Sequence, residues 1–293
     1  MIKLALFGAG RIGKIHGHNV VLNPHAELVA LHDPYQPNAD SLSAALGCAQ
    51  MTPEDIFSDA SIDGVLVCSA TDTHADLIEQ AVASGKHVFC EKPIDLSLAR
   101  VQQVVAKVNA SPIISMLAFN RRFDSNFALL QQRIAAGDIG DVELVSIISK
   151  DPSPPPVDYI NVSGGLFRDM TIHDFDMARF LLGEDAVQVT AQASCLVDPA
   201  IGLAGDVDTA LVTLRTASGK LAQISNSRRA SFGYDQRFEV HGSQGMLTAA
   251  NVNENTLTSY TQAGVTSAKP VHFFFGALRG RLPIRIGQFY CRP

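Results

Sequence analysis

Residues 1–13, MIKLALFGAGRIG, run from a short apolar stretch into glycines at positions 8, 10 and 13. Two readings compete for this stretch. One lysine followed by apolar residues has the outline of a secretory leader. But the run is too short, lacks a small-residue cleavage site, and leads into glycines that need a folded context. The other reading is a first β-strand, a G-x-G-x-x-G turn, and a helix through about Asn23. Gly8 would permit the tight turn, Gly10 would let the backbone approach a pyrophosphate, and Gly13 would let the helix pack close to the sheet. Arg11 and Ile12 would then sit at the helix N-terminus, where unpaired N–H groups and the helix dipole favour an anion. A lone G-x-G-x-x-G is a weak signal. Here a strand precedes it, a helix follows, and a second strand (AELVALHD) ends in Asp33.

An acid at that strand end accepts hydrogen bonds from an adenosine ribose and repels a 2′-phosphate. Pro34, Tyr35 and Gln36 follow, with no Arg or Lys to neutralise such a phosphate, so NAD is expected rather than NADP. Outward from the glycines, β-rich runs (DGVLVCSA, HVFCE, PIISMLAF) alternate with helical segments (HADLIEQAVASG, SLARVQQVVAKVNA). Such alternation predicts an α/β, doubly wound parallel sheet over residues 1–120, a Rossmann domain. From residue 121 to 274 the pattern changes to longer strand runs such as DVELVSIISKD, DTALVTLRT and RFEVHG, with a hairpin turn at 217–220. That predicts a C-terminal α+β domain with a large, mainly antiparallel open sheet.

Composition narrows the function. Net charge is −6, which lacks the basic footprint of a nucleic-acid binder. No run of 18 apolar residues appears, so no membrane span is expected. The 5 cysteines are widely spaced without a CxxC, which points to reduced thiols in a cytoplasmic protein and away from structural zinc.

Residues 163–183, SGGLFRDMTIHDFDMARFLLG, read as a helix apolar nearly all round, hence buried, yet with carboxylates and a histidine. On an ideal helix Asp169, His173 and Asp176 fall on one stripe. A satisfied structural network is one explanation. A cleft after the flexible Gly164–Gly165 is the other. With a dinucleotide at hand, an Asp–His pair suits alcohol–ketone chemistry, which needs a base for the hydroxyl proton and a donor for the developing alkoxide. His173 is the candidate base. Lys92, in HVFCEKP at the C-terminal end of a predicted parallel strand, is the candidate donor.

GAGRIG, CEKP, NRRFDSNF and GGLFRDMTIHDFDMARFL together resemble the glucose–fructose oxidoreductase/inositol dehydrogenase family, from residue 1 to about 274. The resemblance implies a Rossmann domain followed by a substrate domain whose open sheet builds a homodimer or homotetramer. It implies that Lys92 hydrogen-bonds the reacting hydroxyl, that His173 takes its proton, and that Asp169 orients histidine and substrate. The Lys92–Pro93 bond would be cis. It further implies NAD contacts from Ser69, His74 and Glu91, and a sugar pocket lined by Asn120, Arg121, Asp151 and Tyr234. Capping by Thr71 or Thr73 explains the His74 segment equally well locally, and Arg122 should point away from Arg121 if the segment is extended. The activity implied is NAD-dependent oxidation of a ring polyol, myo-inositol to 2-keto-myo-inositol.

Three other readings stay open. A dehydrogenase of another inositol isomer or an aldose would use the same residues. A non-catalytic dinucleotide-binding sensor would not need the base. A metal enzyme would need a third ligand beside Asp169 and His173, and the sequence offers no convincing one, so no metal is expected. The tail, Phe275 to Pro293, departs from the family pattern. It carries Arg279, Arg281, Arg285 and Arg292 without an acid and no helical stripe. A reading-frame change is the expectation for residues 275–293, with poor packing there and an exposed apolar surface beneath, and a functional basic tail is the competing reading.

Overall fold

The computed structural model of the protein describes residues 1–271. The atypical tail, and with it the expectation of a frame change, lies outside the described residues, as does Cys291. The chain divides into one unit of Met1–Ala118 and another that begins at Phe119.

The first unit opens with β1 (Ile2–Phe7), α1 (Arg11–Val21), β2 (Ala26–His32) and α2 (Gln36–Leu46). Then come β3 (Ala49–Gln50), α3 (Pro53–Ser58), β4 (Gly64–Val67) and α4 (Thr71–Ala83). It ends with β5 (His87–Cys90), α5 (Leu98–Asn109) and β6 (Ser115–Leu117). The strands form one sheet in the order β3-β2-β1-β4-β5-β6, and every neighbouring pair is parallel. Side chains alternate across a strand, so the same strands feed two cores. Ala5, Phe7, Val65 and Val67 join Ile78, Ala81 and Val104 on one face. Leu6, Leu28, Leu31 and Leu66 join Val20 and Leu42 on the other. This double burial is why the strand runs are continuously apolar. The order reverses between β1 and β4, which puts the Gly8 turn and the Cys68–Ser69 loop at a topological switch point.

The second unit starts with a 3₁₀ turn (Asn120–Phe123), α6 (Ser125–Ala135), β7 (Val142–Lys150) and α7 (Val157–Ser163). A π-helical turn (Phe167–Thr171) leads into α8 (Ile172–Leu182), β8 (Ala186–Ser194) and α9 (Pro199–Leu203). Strands β9 (Thr209–Thr216), β10 (Leu221–Ser227), β11 (Asp235–Gly242) and β12 (Gly245–Ala249) follow, then the small hairpin β13 (Thr258–Thr261) and β14 (Gly264–Ser267). The large sheet runs β12-β11-β7-β10-β9-β8, antiparallel except for the β7–β10 pair. Its core is single-sided: Val145, Ile147, Val212, Leu214, Ile224 and Phe238 pack with Phe127 and Leu130 of α6 and with Met177 and Leu181 of α8.

Three local expectations change. Residues 163–183 are not one helix. Gly164 and Gly165 take φ of 83° and 78°, which ends α7, and a Cβ on Gly165 would lie 2.5 Å from the Asp206 carboxylate. Residues 120–123 are a 3₁₀ turn rather than extended, so alternation does not decide where Arg122 points. Helix α4 begins at Thr71 behind Ala70 with no side-chain cap, which places His74 on the helix and removes the capping role given to Thr71 or Thr73.

A buried carboxylate staples the loop ahead of β9. Asp208 is fully buried and accepts the backbone N–H groups of Leu196 (2.8 Å), Val197 (2.8 Å) and Asp198 (3.1 Å). Burial pushes its pKa up, but those N–H groups and the Thr209 hydroxyl outweigh it and bring the pKa down to about 2. A folded-state pKa below the unfolded one contributes stability that is present above about pH 4 and is lost as pH falls toward 2. Thermal melts of Asp208→Asn should therefore show a lower Tm at pH 7, with the gap to the parent protein closing below pH 4. A gap independent of pH would contradict this account.

Candidate active site

In the first unit, the glycine-rich turn has the shape its spacing predicts. Gly8 has φ of 95°, and a Cβ there would sit 2.5 Å from the Cys68 backbone. A Cβ on Gly13 would lie 1.9 Å from the Gly8 carbonyl oxygen, so only glycine lets α1 approach the turn. Gly10 differs: among the described residues, no atom beyond its chain neighbours lies within 4 Å of a Cβ built there. Its lack of a side chain therefore answers to something other than the protein's own packing, and a pyrophosphate lying on the turn fits. Helix α1 has no side-chain cap and no acid in its first turn, leaving its N–H groups for an anion. Arg11 is exposed and Ile12 half-buried at that helix start.

Asp33 stands across the turn. Its Oδ2 accepts the Ala9 N–H at 2.6 Å and its Oδ1 the Tyr35 N–H at 2.8 Å. Each carboxylate oxygen keeps a further lone pair for ribose hydroxyls. A pocket lined by His32, Asp33, Gln36, Met51, Thr52 and Asp55 opens beside it. Asp33→Ala should narrow the preference for NAD over NADP, because the repelling charge is gone, and weaken NAD binding as well, because the Ala9 N–H loses its acceptor. Titration of both cofactors measures this, and an unchanged ratio of affinities would contradict it.

Lys92 is held in place by its neighbours. The Lys92–Pro93 peptide is cis, as the resemblance implied. His74 is buried, with Nδ1 2.8 Å from the Pro93 carbonyl oxygen and Nε2 3.1 Å from the Ser69 carbonyl oxygen. It thus ties the loop after β4 to the loop after β5. The Ser69 hydroxyl meets Thr73 at 2.6 Å. Glu91 is bound to His16 of α1, with Oε1 and Nε2 2.9 Å apart, so this acid fastens the end of β5 to the helix that follows the glycines. His16 is a residue the sequence reading passed over.

In the second unit, the expected Asp169–His173–Asp176 stripe separates. The wider π-helical turn carries Asp169 out of the phase an ideal α-helix would impose. Asp169 Oδ1 accepts the Tyr159 hydroxyl at 3.0 Å, and its Oδ2 faces Arg228 Nη1 at 3.5 Å. Asp176 instead takes Arg122 in a bidentate pair of 2.8 and 2.6 Å, with the guanidinium stacked over Phe180. His173 is half-buried at the start of α8, its ring edge-on to Phe119 at 6.4 Å.

Beneath these groups lies a buried polar network. Arg121, expected in the sugar pocket, is 4% exposed and committed to Asp174 and to Ser149 Oγ. Burial works against its charge, but the Asp174 carboxylate wins and holds its pKa above that of free arginine. Asp174 also accepts Asn226 Nδ2 at 2.7 Å, Asn226 accepts the Thr171 hydroxyl at 2.7 Å, and Gln236 donates to Ser149 at 2.9 Å. Arg121 is therefore a support for the site. Asn120 is half-buried in the 3₁₀ turn. Asp151, just past β7, has its pKa pushed up to about 6 by burial, with Arg228 and Arg121 pulling it down and Asp169 and Asp174 pushing it up. Burial likewise raises Tyr234 to about 12, against the pull of Arg121. Perturbed groups gathered in this way make this cluster a candidate functional site. Among the described residues no cluster of three His, Cys, Asp or Glu could hold a metal ion.

Asp174, Asn226 and Arg228 were missed, although a signal for two of them exists. Ala222, Ile224, Asn226 and Arg228 alternate along β10 and beyond it, and all are buried. An apolar period-2 pattern that continues into polar residues points those residues inward.

Residues 2–119 match the oxidoreductase family with an NAD-binding Rossmann fold, and residues 127–248 match the GFO/IDH/MocA C-terminal domain. The chain is 53% identical over 274 residues to an inositol 2-dehydrogenase of Rhizobium meliloti (strain 1021), covering 94% of this chain and 83% of the relative. It is 45% identical over 280 residues to a myo-inositol 2-dehydrogenase of Thermotoga maritima, covering 95% and 84%. The crystal structure of a scyllo-inositol dehydrogenase from Lactobacillus casei with bound NAD(H) and scyllo-inositol superposes with a TM-score of 0.84 at 31% identity, over 95% of this chain and 84% of that one. The chain belongs to the GFO/IDH/MocA oxidoreductase family, built as an NAD-binding Rossmann domain followed by the family's C-terminal domain.

Proposed function

We propose that this protein oxidises a ring polyol, myo-inositol to 2-keto-myo-inositol, with NAD as oxidant. The observation that carries the proposal is that Lys92, Asp169 and His173 all stand in a chain 53% identical to an inositol 2-dehydrogenase. Bound NAD supplies the hydride acceptor. Gly8, Gly10, Arg11, Ile12 and Gly13 hold its pyrophosphate, Asp33 its adenosine ribose, and Ser69, His74 and Glu91 shape the nicotinamide end. His173 removes the hydroxyl proton as the base, and Lys92 donates a hydrogen bond to the same oxygen as negative charge develops on it. Asp169, gripped through both oxygens, orients the histidine and the ring. Asn120, Asp151 and Tyr234 read the remaining hydroxyls, with Arg121 supporting them from below. A site built to hydrogen-bond several hydroxyls rejects analogues lacking one.

A panel of inositol isomers and aldoses offered with NAD and with NADP, read by absorbance of the reduced cofactor, tests the proposal. Myo-inositol with NAD should give the highest kcat/KM. No reduction with any inositol would overturn the reading, and a preferred aldose or another isomer would replace the substrate while keeping the chemistry.

The protein works as a homodimer or homotetramer through the second unit's sheet. Supporting this, Leu144, Leu211, Leu221 and Met246 are exposed on the face opposite the α6–α8 core. A monomer by sedimentation velocity would reject it. A cytoplasmic setting suits thiols at Cys48, Cys68, Cys90 and Cys195 that are not in disulfides. Among the described residues, no helix is long and apolar enough to cross a membrane.

A further inference from the structure

Arg228 is 1% exposed and among the largest fully buried side chains of the described residues. Its backbone N–H donates to the Asp208 carbonyl oxygen at 2.8 Å, which anchors the chain where β10 ends. The side chain faces carboxylates from several elements. Nη1 lies 3.5 Å from Asp169 Oδ2 on the π-helical turn, and Nη2 lies 3.8 Å from Asp206 Oδ2 in the loop before β9. Asp151, past the end of β7, also feels its charge, which pulls its pKa down against the effect of burial. The Arg121–Asp174 pair and Tyr234 act electrostatically on Asp151 as well.

A purely structural buried arginine normally spends its donors, because an unused buried donor is costly. Here Nε and Nη2 make no hydrogen bond among the described residues. Asp206 lies 3.8 Å from Nη2, beyond hydrogen-bond distance, while its two oxygens share the Leu166 N–H at 3.1 and 3.0 Å. Arg121 is committed to Asp174. Arg228 is thus a buried cation left to act through space on Asp169 and Asp151.

We propose that Arg228 is the positioning residue of the Asp151–Asp169 pair, the buried cation that orients Asp169 and lends its charge to Asp151 so that both carboxylates can accept hydrogen bonds from a polyol. An ionised carboxylate is an acceptor only, so two of them demand hydroxyl donors from the ring. Tyr159 fixes one oxygen of Asp169 and Arg228 faces the other, which sets the direction of the remaining lone pairs. This inference rests on the polyol reading above, and one arm of its test does not.

The kinetic arm compares Arg228→Met and Arg228→Lys with the parent across pH 5–10. Removing the cation raises the Asp151 pKa further, so the acidic limb of kcat/KM should move to higher pH. At pH 7 the loss should be on the order of 10- to 100-fold, shrinking toward pH 10, with the KM for NAD unchanged. Arg228→Lys keeps the charge and should return the limb toward the parent's position. A loss of the same factor at every pH, or a lysine variant no better than methionine, would overturn the proposal. If Arg228→Met fails to fold, Arg228→Gln against Arg228→Lys isolates the charge in the same way.

The second arm needs no substrate: ¹³C-carboxylate NMR of aspartate-labelled protein follows Asp151. Its titration, at about 6 in the parent, should move upward in Arg228→Gln and stay in place in Arg228→Lys. An unmoved Asp151 overturns the role of Arg228, whereas a moved Asp151 in a protein inert toward every inositol overturns only the polyol reading.

Discussion

His173→Ala is expected to lower kcat by about 10²–10⁴-fold, the usual worth of general-base catalysis, while NAD affinity changes little. The split follows from where the groups lie. His173 opens α8 in the second unit, whereas the glycine turn and Asp33 belong to the first. The buried network of Arg121, Asp174, Asn226 and Ser149 closes without His173. Melting temperature should therefore stay close to the parent's. Steady-state kinetics and NAD titration on the same preparation check this, and near-normal turnover would remove His173 from the mechanism. Because the oxidation releases a proton, the equilibrium should also shift toward the ketone as pH rises.

The second large effect is expected at Gly13, with Gly10 as its counterpart. A Cβ on Gly13 would lie 1.9 Å from the Gly8 carbonyl oxygen, far inside any tolerated contact. Since the clash is with backbone, α1 must lift from the turn, and overpacking of this kind costs about 1–3 kcal/mol or more. Gly13→Ala should lower Tm by several degrees, roughly the shift that cost produces in a chain of this size, and weaken NAD binding by more than about tenfold. Gly10→Ala meets no atom of the described residues within 4 Å beyond its chain neighbours, so its Tm should hold while NAD binding falls. Thermal melts and calorimetric titration separate the two. NAD bound at full affinity by Gly10→Ala would contradict the placement of the pyrophosphate.

The first unit was legible because its signals are local. Continuous apolar strands, glycine spacing and an acid at the second strand end each reflect short-range geometry, and β1, α1 and β2 follow them closely. Strand β8 was harder. AVQVTAQAS alternates apolar and polar residues from Val187 to Ser194, yet it is exposed at every position on a sheet edge, so the alternation marked no buried face. The 163–183 segment misled for another reason. Its composition suits a helix throughout, and only the contact of Gly165 with Asp206, distant in sequence, explains why the chain turns there. The same long-range dependence hid the ion pairs. Nothing near Arg121 announces Asp174, and Asp176 fell on the expected helical stripe although its partner is Arg122.

The most direct measurement of the central claim is hydride transfer from a labelled substrate. Myo-inositol carrying deuterium at C2 is incubated with the protein and NAD, and the reduced cofactor is read by NMR and mass spectrometry. The account predicts one deuterium on the nicotinamide C4 of each NADH formed, together with 2-keto-myo-inositol free of label at C2. NADH without deuterium, or no NADH at all beside a folded protein that binds NAD, would contradict it.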